Sequence, residues 1–410
     1  GESTLGHTDC SASVLSAFMP RTDLRRAPLR LAPLACLALT LLLSACASTQ
    51  EEPKPNGPDK VEGAAAPETP QPDSAKVPPT LNMSPSLAIR PKATPRNGAD
   101  YAQREDARAL SQTLAQTLDM PGDWVWNQLS QARYRETVTR LIMPAASSTA
   151  KNWAAYRSRF VEPVRIRAGQ AFWKAQAAEL KRAEQQFGVA AWVIAGVLGV
   201  ETIYGRQTGN FRVLDVLATL SLDFPSGRSD RSAFFRKELG EFLKLCQEQG
   251  LDPQTVQGSY AGAIGWPQFM PSSIRRYAID FDGDGRIDLQ RSPVDAIGSV
   301  ANYLAAHGWR TGEPGYYEVT PPTDATALGK LLAPDIVPTF TAEEMQALGA
   351  VLPPEAREHA GKLALVQLLN GSDAPTVVLG TQNFYAVTRY NQSSYYALAV
   401  IQLGQTVSAP

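Results

Sequence analysis

Apolar residues recur every three to four positions over Tyr101–Leu118 and again over Phe172–Phe187, which predicts two amphipathic helices. Phe234–Gln249 repeats the pattern and stops at Gly250, a residue suited to the left-handed turn that ends a helix. The run Val189–Val200 differs: it is apolar on every side and meets no charged residue until Glu201. A helix that is apolar all round is a buried one, so this segment predicts a core helix ending near the Gly205 turn. Ser292-Pro293-Val294-Asp295, followed by Ala296–His307 and Gly308, marks a helix at both ends: serine cap, proline first, acid third, glycine after the stop. Runs rich in β-branched and aromatic residues predict short strands at Tyr316–Thr320, Leu363–Leu368, Thr376–Leu379 and Phe384–Thr388. No internal repeat is visible. The fold class is mainly α (α+β), with a small β element toward the C-terminal side.

The first hundred residues follow other rules. Arg21, Arg25, Arg26 and Arg30 precede the apolar stretch Leu31–Leu43 and then Leu43-Ser44-Ala45-Cys46. A basic flank, a short apolar run and small residues make a secretory signal, and the run is short for a membrane span. Leu-Ser-Ala-Cys also resembles a bacterial lipobox, in which Cys46 is lipidated; the alternative is an ordinary signal peptide with an incidental cysteine. Ala47 after Cys46 favours outer-membrane sorting over inner-membrane retention. Residues before Met19 read as upstream translated sequence. From Ala47 to about Asn97 the chain is rich in proline, alanine and charge, too poor in large apolar residues to offset ordering entropy. It reads as a tether averaging ~40 Å end to end and reaching on the order of 170 Å when stretched. The expected organisation is a signal peptide over 1–45, a lipidated cysteine and tether over 46–100, and a globular domain over 101–410.

Composition adds exclusions. The 410 residues are 44% hydrophobic and 19% charged with a net charge of −1, enough for a large core but offering no basic patch for nucleic acid. Cys10 and Cys36 lie in the leader and Cys46 is assigned to lipid. Cys246 is then left as a small core residue, with no disulfide framework. Beyond the leader only His307 and His359 remain, so a histidine zinc site or a Ser-His-Asp triad lacks support. There is no phosphate-binding loop or dinucleotide fingerprint, and no organic cofactor is expected. Nothing asks for more than a monomer.

Two segments carry the chemistry. In Gly199-Val-Glu201-Thr-Ile-Tyr-Gly205, a carboxylate closes an apolar helix. Burial there either pairs the charge or raises its pKa, and a raised pKa suits a general acid. Some sixty residues on, Gly258-Ser-Tyr-Ala-Gly-Ala-Ile-Gly-Trp-Pro-Gln-Phe-Met-Pro-Ser-Ser273 is dense in glycine, aromatics and small polar groups, a composition suited to holding a sugar. Together they resemble the membrane-bound lytic murein transglycosylase B family, over roughly Tyr101 to the C-terminus. That resemblance implies a lysozyme-like helical core, about 170–312, acting on peptidoglycan glycan strands from a periplasmic, outer-membrane anchor.

By the same resemblance, Glu201 protonates the glycosidic oxygen between N-acetylmuramic acid and N-acetylglucosamine. As a carboxylate it then helps the muramyl 6-hydroxyl attack its own anomeric carbon, leaving a 1,6-anhydro end. One carboxylate suffices because the nucleophile belongs to the substrate, whereas ordinary glycosidases need two. Asp215 and Asp223, the nearest downstream acids, lack a comparably apolar setting in sequence. Ser259 and Gln268 would hydrogen-bond the sugar or the catalytic carboxylate. Tyr260, Trp266 and Phe269 either stack on the sugar or fill the core, and Pro267 carries no assigned role. Tyr303, and Tyr390 and Tyr396 in Arg389-Tyr-Asn-Gln-Ser-Ser-Tyr-Tyr396, match cleft-lining tyrosines. Arg231 is carried over as a substrate-binding residue, although the family has two adjacent arginines where this chain has Asp230-Arg231.

Asp280-Phe-Asp282-Gly-Asp284-Gly285-Arg286-Ile-Asp288 follows the EF-hand rule, with carboxylates at loop positions 1, 3, 5 and 9 and glycine at 6. Arg286 would offer its backbone carbonyl. Position 12 is Arg291, which cannot ligate; as in the related enzymes, Asp295 stands in, or it is only the acid of the helix cap. A bound calcium would fix the segment between Gln268 and Tyr303 rather than perform chemistry. The rival readings are a hydrolytic muramidase with a water nucleophile and a non-catalytic peptidoglycan-binding lipoprotein.

Overall fold

The computed structural model describes residues 101–143 and 151–409. The signal segment, Cys46 and the tether lie outside the described residues.

Sixteen α-helices and five strands run through the described residues. The buried helix Ala191–Thr202 is central, and eleven of its residues are buried. It lies against the helix Ser394–Ser408, and glycines make the approach possible. A methyl group on Gly196 would sit 2.2 Å from the carbonyl oxygen of Val400, and one on Gly404 would sit 2.2 Å from that of Trp192. The two backbones therefore touch, and apolar side chains close over the seam. Pro163–Ala175 and Ala177–Phe187 flank the pair. Val213–Leu222, fully buried, packs with Ser232–Gln249 on another side, and Cys246 is buried within the latter.

Most expected helices appear with small boundary shifts: Glu105–Thr117, Ala191–Thr202, Ser232–Gln249 closed by Gly250 at φ 64, and Pro293–Ala306. The last has the expected start, with the Ser292 hydroxyl accepting from the Asp295 amide. Phe172–Phe187 is not one helix. Pro163–Ala175 begins earlier, capped by the Glu162 carboxylate, and breaks at Gln176, where φ is −109 and ψ is 17. No glycine or proline marks that break, so the periodicity runs across it unaltered.

The strands form two sheets. β1 (Phe211–Arg212) pairs antiparallel with β2 (Gln257–Gly258). β3 (Tyr316–Glu318), β4 (Ala364–Asn370) and β5 (Asp373–Gly380) make an antiparallel sheet in the order β3-β5-β4. Ala364, Val366 and Leu368 face the main core, whereas Leu365, with Leu379 of β5, faces a smaller core built on Leu331, Met345 and Leu352. Burial on both faces explains why Ala364, Leu365 and Val366 are apolar in succession instead of alternating with polar residues. Phe384–Thr388 is helical, not a strand: it lies within Gln382–Asn391. The Thr381 hydroxyl accepts from the amides of Asn383 and Phe384, and Phe384 and Val387 both turn inward at helical spacing. A cap and a three-residue period outweigh strand propensity there.

Candidate active site

Glu201 sits in the last turn of Ala191–Thr202 and is 9% exposed. The helix ends abruptly, with Ile203 at φ 51, Tyr204 at φ 55 and Gly205 at φ 80. The left-handed region is costly for a β-branched residue such as Ile203. Surrounding bonds hold it: the amides of Ile203 and Tyr204 donate back to Gly199 and Leu198. The buried Thr202 hydroxyl accepts from the Gly205 amide at 3.0 Å and donates to the Trp266 carbonyl at 2.9 Å. Thr202 thus fastens the end of the Glu201 helix to the second motif. Gly205 has no alternative, because a methyl group there would lie 2.2 Å from the Trp266 ring.

The second motif is a compact turn. The Ser259 hydroxyl accepts from the amide of Ala263 at 3.1 Å and, at 3.4 Å, from that of Ala261. Gln268, at φ 49, donates its side-chain amide to the carbonyls of Gly265 and Thr208 at 2.8 and 3.1 Å. Both residues therefore shape the backbone, and neither bonds the Glu201 carboxylate. That bond comes from Tyr396, whose hydroxyl donates to Glu201 Oε1 at 2.6 Å. Tyr260 and Phe269 are buried, and Trp266 covers Gly205, so these three rings fill the core.

The tyrosines form a continuous wall leading to Glu201. Tyr390 and Tyr396 stack with ring centres 6.0 Å apart. Tyr303 meets Tyr390 edge-on at 4.9 Å and stacks on His307 at 4.0 Å. The Tyr303 hydroxyl donates to the Arg389 carbonyl at 2.8 Å, and that of Tyr390 donates to the Pro267 carbonyl. Pro267, to which sequence assigned no role, thus anchors one wall tyrosine. Arg231 lies at the start of Ser232–Gln249, with its guanidinium over the rings of Phe234 and Phe235.

Burial pushes the Glu201 carboxyl up to about 7, against the opposing pull of the Tyr396 hydroxyl and the Arg165 guanidinium. Other buried acids are engaged. Asp215, with no exposed surface, is more buried than sequence suggested, yet Arg135 and Arg212 neutralise it. Asp223 is held by Arg104 and the Tyr101 hydroxyl. Glu238, also raised by burial, accepts from the amide and hydroxyl of Ser272.

In the acidic loop, carboxylate oxygens of Asp280, Asp282 and Asp284 lie within 4.8 Å of one another. Asp288 instead accepts from the amides of Gln290 and Arg291. Asp295 is buried and ties the loop together: Oδ1 accepts from Phe281 and Asp282 amides, and Oδ2 from Asp288. Three hard oxygen donors, with the Arg286 carbonyl between Asp284 and Asp288 in sequence, suit calcium chemically. Asp288 and Asp295 are not in the three-carboxylate group.

Residues 102–405 match the family described as the transglycosylase SLT domain. The membrane-bound lytic murein transglycosylase B of Escherichia coli K12 is 35% identical over 381 residues, 91% of this chain and 96% of that protein. The chain belongs to this family. Its fold and reaction class are therefore those of a peptidoglycan lytic transglycosylase. Among solved structures, Escherichia coli lytic transglycosylase Slt35 in complex with calcium aligns with a TM-score of 0.66 at 37% identity, over 76% of this chain and 95% of that one. Pseudomonas aeruginosa SltB3 in complex with NAG-anhNAM-pentapeptide aligns at 0.62 with 28% identity, over 74% and 79%.

Two features of this lytic transglycosylase escaped sequence reasoning. Arg165 is buried behind Glu201, and its position in an amphipathic run gives no hint of that. The helix Ser394–Ser408, which presents Tyr396, is apolar along most of its length; that hydrophobicity was the available signal.

Proposed function

We propose that Glu201 is the single acid and base of this transglycosylase, cleaving the β-1,4 bond between N-acetylmuramic acid and N-acetylglucosamine. Protonated Glu201 gives its proton to the glycosidic oxygen as the bond to the muramyl anomeric carbon breaks. The resulting carboxylate accepts the proton of the muramyl 6-hydroxyl as that oxygen bonds to the same carbon. Glu201 ends protonated again, and no water is consumed. The observation that carries this reading is a buried carboxyl near pKa 7, bonded by one tyrosine, while the other buried acids are engaged elsewhere. Near pH 7 such a group populates both forms, as an acid that becomes a base must.

Tyr303, Tyr390 and Tyr396 would line the sugar path, with Ser259 and Gln268 shaping its floor and Arg231 helping to bind the substrate. Asp280, Asp282 and Asp284 would hold calcium, joined by the Arg286 carbonyl and by Asp288 once its side chain turns inward. Asp295 would serve by bracing the loop. The ion would stiffen the segment between Gln268 and Tyr303. Lipidation at Cys46 would tether the enzyme to the outer membrane, facing the periplasm.

Mass spectrometry of sugar ends after peptidoglycan digestion tests the reaction. Anhydromuramyl ends, lost in Glu201→Gln, are expected. Reducing muramyl ends would mean hydrolysis by water, and an active Glu201→Gln would remove the site assignment.

A further inference from the structure

Arg165 is a cation with 6% exposure in an otherwise apolar setting. Burying a charge is expensive unless it is firmly paired. The nearest carboxylate, Glu162, lies 3.8 Å away, and both its oxygens already accept from helix amides, Oε2 from Val164 and Oε1 from Arg165. The firm bonds of the guanidinium go to neutral carbonyls: Nε donates to Gly199 at 2.9 Å and Nη1 to Arg159 at 2.7 Å. Its Cζ lies 5.0 Å from the centre of the Phe160 ring. Gly199 is two residues before Glu201, at the negative end of the helix dipole, just where the chain enters its left-handed turn.

The groups that face Glu201 come from four elements. Tyr156 lies on Trp153–Phe160, Arg165 on Pro163–Ala175, Tyr390 on Gln382–Asn391 and Tyr396 on Ser394–Ser408. Burial holds the three phenols neutral, so Arg165 is the charge among them. We infer that Arg165 is a positioning residue for the lytic reaction: bonded to the Gly199 carbonyl in the last turn of the Glu201 helix, it fixes that carboxyl without touching the sugar. Its charge also opposes the effect of burial on Glu201. The inference rests on Glu201 being the acid and base. It accounts for a cation kept where desolvation is costly, because the second half of the reaction needs a carboxylate in an apolar pocket.

The test is the pH profile of peptidoglycan cleavage by the full chain, with Arg165→Gln, Arg165→Met and Arg165→Lys. Loss of the cation should move the basic limb of kcat/KM upward by about one pH unit and lower kcat, with KM unchanged. Arg165→Lys should leave the limb in place. Arg165→Met keeps the apolar stem against Phe160 and serves if the glutamine variant does not fold. A lowered Tm with an unmoved limb would make Arg165 merely structural and overturn the inference, as would a lysine variant shifted as far as the neutral ones. Glu201→Gln, run alongside, separates the two readings. If it is inactive, an unmoved Arg165 limb overturns only the present inference; if it is active, the site assignment itself fails.

Discussion

The protein should be more stable without the carboxylate of Glu201. That carboxyl is pushed up to about 7 by burial, whereas in the unfolded chain it titrates near ~4.3. Below about pH 4 the group is neutral in both states and costs nothing. As pH rises from about 4.5 to 7, the unfolded chain ionises it while the fold keeps it protonated. Stability then falls by about 1.4 kcal/mol per unit. Past the folded value both states are ionised, and the loss levels off at about 3.7 kcal/mol. Glu201→Gln removes the titration, and its amide oxygen can still accept from the Tyr396 hydroxyl that donates to Glu201 Oε1. The variant should therefore match the parent near pH 4 and exceed it by about 3.7 kcal/mol near pH 8. Urea unfolding of both proteins across this range measures the gap directly. Two pH–stability curves that stay parallel would refute the reasoning, because Glu201 would then titrate alike in both states.

Three further outcomes are expected. Tyr396→Phe removes a charge-assisted donor from Glu201, so the basic limb of activity should move up by about one pH unit, read from rates across pH. Gly196→Ala forces a methyl group against the Val400 carbonyl and should cost about 2–3 kcal/mol, read by chemical denaturation; an unchanged midpoint would mean the helices are not in backbone contact. Calcium at a hundred times its Kd should stabilise the protein by about 2.7 kcal/mol, seen as a Tm rise that chelator reverses and Asp282→Ala abolishes; an indifferent parent protein would remove the metal assignment.

The parts legible in sequence were those whose signals are local. The helix Pro293–Ala306 carries its cap, its first-turn proline and its stop within one short stretch, and it forms as written. Glu201 is conspicuous because it is the first charge after a run of apolar neighbours. The misread segments needed partners to be understood. Phe384–Thr388 has strand-forming residues, but Thr381 and the inward-facing Phe384 and Val387 make it helical. Ser259 and Gln268 were expected to hydrogen-bond the sugar or the carboxylate; the carboxylate is bonded by Tyr396 instead, and the two side chains brace backbone at Ala263, Gly265 and Thr208. Arg165 could be recognised only after Gly199 and Arg159 were brought to it from two other helices.

The bond between Tyr396 and Glu201 joins residues 195 positions apart, and the helix bearing Tyr396 is the last in the described chain. A nascent chain that has not yet delivered residues 394–408 lacks both the phenol and the cover over Ala191–Thr202. Order of synthesis thereby becomes a safeguard: an enzyme that cuts the wall cannot complete its cutting site until residues 394–408 have emerged.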